Sequence, residues 1–266
     1  MKHPLRIGLL GYGAIGKRVI AAIADGTIAS ATCPAALVRR QRSEPGVTLT
    51  ADPAAFFRHD YDVVVECAGH QAVRDHALTA LERGADLMVT SVGAFVDDAL
   101  LERVTSAAKA AGRRLLLPSA GIGALDILTA GAVGGLESVT MTVIKDATSW
   151  LGTEAERTHD LRNLAAPVVL YEGPVREGAR RYPQNVNISA AVALAGIGLD
   201  KTQLRIVADP APIPHVVEIQ ARGYFGNFSF REEIIPSDEN QKTGRLVVLA
   251  VVKALQQLAA SVVIGG

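Results

Sequence analysis

The segment LRIGLLGYGAIGKRVI, close to the first residue, restricts the folding options of this 266-residue chain more than any other. Gly11, Gly13 and Gly16 stand in G-x-G-x-x-G spacing, with an apolar run before them and an amphipathic pattern after them. The first glycine permits a tight strand-to-helix turn, the second leaves room for a pyrophosphate against the backbone, and the third lets helix and strand pack closely. Ala14 and Ile15 fall in the first helical turn, where backbone amides and the helix dipole favour an anion. Dinucleotide binding through Gly11, Gly13, Ala14, Ile15 and Gly16 is therefore the first expectation.

The chain continues with strand-like apolar runs separated by helical patterns: AALVRR, YDVVVECAG, AVRDHALTALERG, ADLMVTSVG, DALLERVTSAAKAAG and RRLLLPSAG. Continuous apolar strands alternating with amphipathic helices imply a parallel sheet covered on both faces. Gly84 and Gly112 stand where two helices should end. From about Leu125 the rhythm changes to longer alternating runs, SVTMTVIKDATS, TQLRIVADP and HVVEIQARGYFGNFSFREEI, with turn chemistry in GYFGNF and a helix in ISAAVALAG. The expected fold is α/β, with an N-terminal Rossmann-type doubly wound parallel sheet and an α+β substrate and dimerisation domain built on a mostly antiparallel sheet. The boundaries read as 1–124 for the first domain, completed by a C-terminal helix in 241–266, and 125–240 for the second. An antiparallel sheet covered on one face only suggests a homodimer that buries the other, since large exposed apolar patches are rare on monomers.

Lys plus Arg and Asp plus Glu each total 27, so the chain lacks the broad positive field of a nucleic-acid or membrane-surface binder, and a small-molecule partner is expected. Cys33 and Cys67 are far apart and lack metal-ligand spacing, which fits a reduced, cytoplasmic setting and no metal. The apolar start is broken by glycines and reads as strand and turn rather than a leader. The apolar C-terminal segment carries Lys253, Gln256 and Gln257 and reads as a buried helix rather than a membrane span.

An NAD-selective site has an acid at the end of its second strand, about 20 residues past the glycines, to bind the ribose hydroxyls. This chain has Arg39, Arg40 and Arg42 there, so NADP should be accepted alongside NAD. In VECAGHQAV, a strand end brings the backbone of Ala68 and Gly69, and with it His70, toward the cofactor, although His70 reads first as a helix-start residue. His76 falls inside a helical pattern and reads as structural. PSAGIGALD is a glycine-rich junction where the backbone can approach a nicotinamide. Asn185 reads as a helix cap, which leaves Asn187 to be explained. His215 follows the proline-rich DPAPIP and opens a strand, so a rigid connection aims a side chain suited to proton transfer.

GYGAIG, PSAGIGALD, YPQNVNISAA, HVVEI and ENQKTGRL, taken in that order, resemble the L-aspartate dehydrogenase family over nearly the whole chain. The resemblance implies oxidation of L-aspartate to iminosuccinate with NAD or NADP, hydrolysis to oxaloacetate and ammonia, and the reverse amination, within aspartate metabolism and pyridine nucleotide biosynthesis. It also implies that His215 is the active-site histidine and that Ala120 and Asn187 contact the cofactor near its nicotinamide. Asn187 would then orient a carboxamide or the substrate through neutral hydrogen bonds. Two segments depart from the family pattern: VIKDATSW stands where an Arg-Lys-Pro-like segment is usual, and NQKTG where Asn-Pro-Lys-Thr-Ser is. A dicarboxylate needs cationic donors, for which Arg222, Lys242 and Arg245 are candidates. Two alternatives stand beside this reading: a related reductase of a small carboxylate imine or aldehyde, and a non-catalytic NADP-sensing protein.

Overall fold

The computed structural model describes residues 3–41, 43–119, 122–183, 186–211, 214–236 and 244–265. Its backbone separates into two compact units, Met1–Ala120 with Asp238–Asn240 and Val247–Gly266, and Gly121–Ser237 with Gln241–Leu246.

The first unit runs β1 (Leu5–Leu10), α1 (Ala14–Ala24), β2 (Ala31–Thr32), β3 (Ala35–Leu37), β4 (Thr48–Thr50), α2 (Pro53–Phe56), β5 (Val63–Glu66), α3 (His70–Glu82), β6 (Asp86–Val89), α4 (Asp98–Ala111) and β7 (Leu115–Leu116). Every strand pairing is parallel, in the order β4-β3-β1-β5-β6-β7, with β2 also on β1. β1, β5 and β6 are short and almost wholly buried, as expected of strands covered on both faces. The chain leaves β1 for one side of the sheet and later returns to β5 on the other. The carboxyl ends of β1 and β5 therefore flank the switch point, the place where doubly wound sheets bind ligands. Ion pairs tie the opposite edge: Arg6 to Asp62 and Arg114 to Asp86. Gly112 caps α4 in the left-handed conformation, and Gly84 follows α3 with φ +84°.

The second unit continues with α5 (Leu125–Gly134), β8 (Leu136–Asp146), β9 (Val168–Pro174), α6 (Val175–Arg181), α7 (Val186–Ala195), β10 (Gln203–Asp209), β11 (His215–Gly223) and β12 (Gly226–Ile234). Its sheet order is β12-β11-β8-β10-β9, antiparallel except where β10 lies parallel to β8. Alternation divides the two faces. Val139, Met141 and Val143 on β8, Leu204 and Ile206 on β10, and Val217, Ile219 and Ala221 on β11 are buried on the inner face, against which α5 and α7 pack. Tyr224 and Phe225 form the two-residue loop between paired Gly223 and Gly226.

The face opposite these helices is mixed rather than wholly apolar. It presents Thr140, Thr142, Gln220 and Ser229 together with two cross-strand ion pairs, Glu172 with Arg205 and Glu218 with Arg231. Many outward positions carry hydroxyls, amides and charges, while Val207, Ile144 and Val216 lie side by side among them, with Val207 and Val216 buried.

The last helix, α8 (Arg245–Ala259), packs into the first unit. Val248, Val251, Val252 and Leu255 share one core with Ile7, Leu9, Ile15, Val19 and Val65, and Gln256 Nε2 donates to the Thr27 carbonyl at 2.7 Å. No described helix is long and apolar enough to cross a membrane.

Candidate active site

The three fingerprint glycines answer three separate steric demands. Gly11 adopts φ +110°, and a Cβ there would lie 2.9 Å from the Cys67 carbonyl oxygen. A Cβ on Gly16 would lie 2.6 Å from the Gly11 carbonyl oxygen, so this glycine permits the turn to close on its own helix. At Gly13 a Cβ would meet nothing within 4 Å, so no contact within the chain requires a glycine there. Gly13 is also the N-cap of α1, with no side-chain cap, and the helical ladder starts with Lys17 N donating to Gly13 O. The amides of Ala14, Ile15 and Gly16 precede that bond and carry the positive end of the helix dipole. Open space above a glycine and an uncapped helix start fit a pyrophosphate.

A second glycine turn follows β5. Gly69 has φ +121°, open space at its Cβ position, and caps α3 without a side chain. Its geometry is held by Glu66, which is fully buried. The Glu66 carboxylate accepts from Ala68 N and Gly69 N, both at 2.8 Å, and from Ser91 N and Ser91 Oγ, both at 3.0 Å. Four donors compensate the burial of one charge, and the loop is fixed from beneath. Cys67 links the two turns by donating its Sγ hydrogen to the Gly11 carbonyl at 3.4 Å. Burial pushes the Cys33 thiol up to about 12 and the Cys67 thiol higher still, so neither is a nucleophile at neutral pH.

Arg39 and Arg40 are exposed just beyond the end of β3, and neither forms an ion pair among the described residues. Gln41 anchors that loop, donating to Leu49 O at 2.6 Å and accepting from Ala51 N at 3.0 Å. His70 is the first residue of α3. His76 lies against the Phe57 ring, and burial lowers its pKa. Arg42, Ala120, Asn185 and Lys242 lie outside the described residues. Asn187 is the exposed second residue of α7.

The second unit gathers a different set of groups at one end of its sheet. His215 opens β11, and the antiparallel register that sets Val216 opposite Ile144 brings it beside Lys145 near the end of β8. Both side chains are in phase with the buried inner-face residues of their strands, Val143 and Val217. His215 is largely buried, and among the described residues its Nε2 has no hydrogen-bond partner. Burial first, and the Lys145 charge second, hold its pKa at about 3. Lys145 is also largely buried, and burial lowers its ammonium to about 8 against an opposing pull from Asp146. The short turn after β8 brings Trp150 back beneath it, with Lys145 Nζ 5.2 Å from the ring centroid. Trp150 is fully buried, edge-on to Tyr182, and its Nε1 also has no acceptor among the described residues.

Glu232 of β12 is on the same face, diagonal to His215, since Val217 pairs with Glu232 and His215 with Ile234. One of its carboxyl oxygens is buried without a partner, Gly123 N donates to the carboxyl group, and burial raises its pKa. Gly123 belongs to the PSAGIGALD junction, whose Ala124 takes φ +63° to open α5. A left-handed alanine is uncommon backbone of the kind found where a site is being shaped.

The cationic candidates read from the sequence fare differently. Arg222 sits at the hairpin end of β11, seven residues from His215, or roughly 23 Å along an extended strand, and it is paired with Glu137 at 3.0 Å. It does not join the cluster. Arg245 is the exposed first residue of α8. Lys145, Trp150, Glu232 and Glu66 were not singled out from the sequence. The signal for Lys145 is its parity: in SVTMTVIKD it follows Val139, Met141 and Val143 at intervals of two, a charged residue on the buried side.

Comparison with known proteins gives concordant results. Residues 126–258 match the family described as aspartate dehydrogenase, C-terminal, and residues 11–118 match the NAD binding domain of homoserine dehydrogenase. An L-aspartate dehydrogenase from Pseudomonas aeruginosa is 41% identical over 94% of this chain and 96% of its own length. One from Cupriavidus necator is 39% identical over 97% of this chain and 99% of its own. The crystal structure of aspartate dehydrogenase from Thermotoga maritima superposes with a TM-score of 0.79 at 27% identity, covering 98% of this chain and all of the other.

Proposed function

We propose that this chain, which belongs to the aspartate dehydrogenase family, oxidises L-aspartate to iminosuccinate with NAD or NADP and catalyses the reverse amination. Water converts iminosuccinate to oxaloacetate and ammonia. The observation that carries the reading is the buried His215 Nε2, partnerless among the described residues and set beside a lysine on a family-typical scaffold.

In this reading Gly11, Gly13, Ala14, Ile15 and Gly16 hold the pyrophosphate, with Ala68 and Gly69 on the neighbouring turn. Arg39 and Arg40 take the 2′-phosphate of NADP, and Ala120 and Asn187 serve the nicotinamide end. The bound nicotinamide supplies the hydride acceptor. The protein manages protons: the substrate nitrogen must be uncharged before hydride leaves Cα, and water must lose a proton as it adds to the imine. His215 Nε2 receives these protons, because its imidazole is neutral at physiological pH. A substrate anion nearby offsets the Lys145 charge and raises the imidazole toward a useful basicity.

Residues 125–240 would form the substrate and dimerisation domain. The ion pairs on the outer sheet face offer alternating charges that a two-fold copy can match by exchange. Sedimentation showing only monomer at micromolar concentration would remove the dimer.

An assay of NAD(P)H formation with L-aspartate against a panel of other amino acids, with oxaloacetate and ammonia in reverse, tests the activity. L-Aspartate should be the preferred substrate. His215→Ala should lower turnover about 10²–10⁴-fold, the usual contribution of a positioned acid-base group, with dinucleotide affinity unchanged. Near-normal turnover in that variant would remove His215 from the chemistry.

A further inference from the structure

We infer that Lys145 is the carboxylate anchor of the substrate site, binding one carboxylate of a dicarboxylic substrate beside His215. The inference rests on the dicarboxylate reading above and names the group that recognises it.

Position is the first support. Lys145 and His215 lie on adjacent antiparallel strands, 70 residues apart in sequence, in phase with the same buried face and at the same end of the sheet. Composition of the cluster is the second. The Lys145 ammonium offers only donors, and the Trp150 indole N–H lacks an acceptor among the described residues. Acceptor oxygens are what such a set can take up. The third is the place of Arg222, which lies at the far end of its strand, joined to Glu137, and so does not supply the cation beside His215. Burying the Lys145 ammonium beside a neutral imidazole costs folding stability, because desolvation disfavours the charged form. A carboxylate beside the ammonium offsets that cost, which a neutral substrate does not.

Trp150 is the single tryptophan of the chain and lies directly under the Lys145 ammonium, so its emission reports on this site without any turnover. Succinate, which has two carboxylates and no amine to oxidise, is the probe. It would be titrated into the full-length wild-type protein, Lys145→Met and Lys145→Arg, each with and without NAD+, while Trp150 fluorescence is followed. The expected result is a saturable change in the wild type, an affinity about 10–100-fold weaker in Lys145→Met, the range of a charge-assisted bond, and substantial recovery in Lys145→Arg. In parallel, KM for L-aspartate should rise by a similar factor in Lys145→Met, with kcat changed much less.

Equal succinate affinity in wild type and Lys145→Met, or no saturable change in the wild type under either condition, overturns the inference. The two readings fail separately. Succinate binding that depends on Lys145, in a protein that does not oxidise aspartate, keeps the anchor and removes the substrate. Normal aspartate oxidation with an unchanged KM in Lys145→Met keeps the substrate and removes the anchor.

Discussion

Replacing Lys145 with methionine should make the protein more stable, by an amount that depends on pH in a defined way. Folding takes the Lys145 ammonium from its usual 10.5 to about 8, mainly through burial. That fall corresponds to about 3 kcal/mol of folding free energy lost to the charge. Methionine keeps the unbranched apolar stem and deletes the ammonium, while forfeiting about 0.5–1 kcal/mol of cation–π attraction to Trp150. A net gain of about 2 kcal/mol at pH 7 follows, roughly 4–8 °C in Tm for a chain of this size. Between pH 8 and 10.5 the unfolded lysine is protonated and the folded one is not, so wild-type stability rises with pH through that window. Below pH 8 both states carry the proton and the full penalty persists. The advantage of Lys145→Met should therefore be constant from pH 6 to 8 and vanish by about pH 10.5. Urea unfolding followed by circular dichroism at pH 7 and pH 10 measures it. A variant less stable than wild type at pH 7, or an advantage independent of pH, would refute the account of Lys145 as a strained buried cation.

Gly13→Ala should fold with unchanged Tm, because its Cβ enters open space, yet lose dinucleotide affinity by 10-fold or more, as calorimetry would show. Gly16→Ala, whose Cβ collides with the Gly11 carbonyl, should lose stability as well as affinity. Neutralising Arg39 and Arg40 together should raise KM for NADP about 10–100-fold and leave that for NAD nearly unchanged; equal effects on the two cofactors would show that the arginines do not read the 2′-phosphate. Glu66→Gln puts an amide donor where backbone amides already donate and should cost about 1–3 kcal/mol in urea unfolding, with weakened dinucleotide binding.

The nucleotide half was legible because its determinants are local. Three glycines within six residues specify a strand, a turn and a helix start, and Gly84 and Gly112 mark helix ends by the backbone conformation they permit. The β11–β12 hairpin was legible for the same reason, since Gly223 and Gly226 bracket its two-residue loop. The Lys145 and His215 pair was not, because register sets it: a shift of one residue between β8 and β11 would move the two side chains to opposite faces. The same register, which the sequence does not reveal, sends the candidate Arg222 to the far end of the strand. Glu66 escaped notice because it ends an apolar run, where an acid reads as a strand boundary; its four donors come from residues up to 25 positions away. The mixed outer sheet face shows the limit of alternation, which identifies the two sides of a strand without saying what each will meet.

The return of α8 to the first unit bears on how the protein is made. Val248, Val251, Val252 and Leu255 complete a core whose other members, such as Ile7, Leu9 and Val19, leave the ribosome more than two hundred residues earlier. Burial of each of the four is worth roughly 1.5–3 kcal/mol, so together they match the whole stability of an ordinary domain. The nucleotide-binding unit, although its strands are translated first, therefore cannot reach full stability until residues 248–255 have been made, by which point all the strands of the second unit have been synthesised. Until then the growing chain exposes the apolar surface that α8 will cover, which leaves a chain stalled short of residue 248 prone to aggregation.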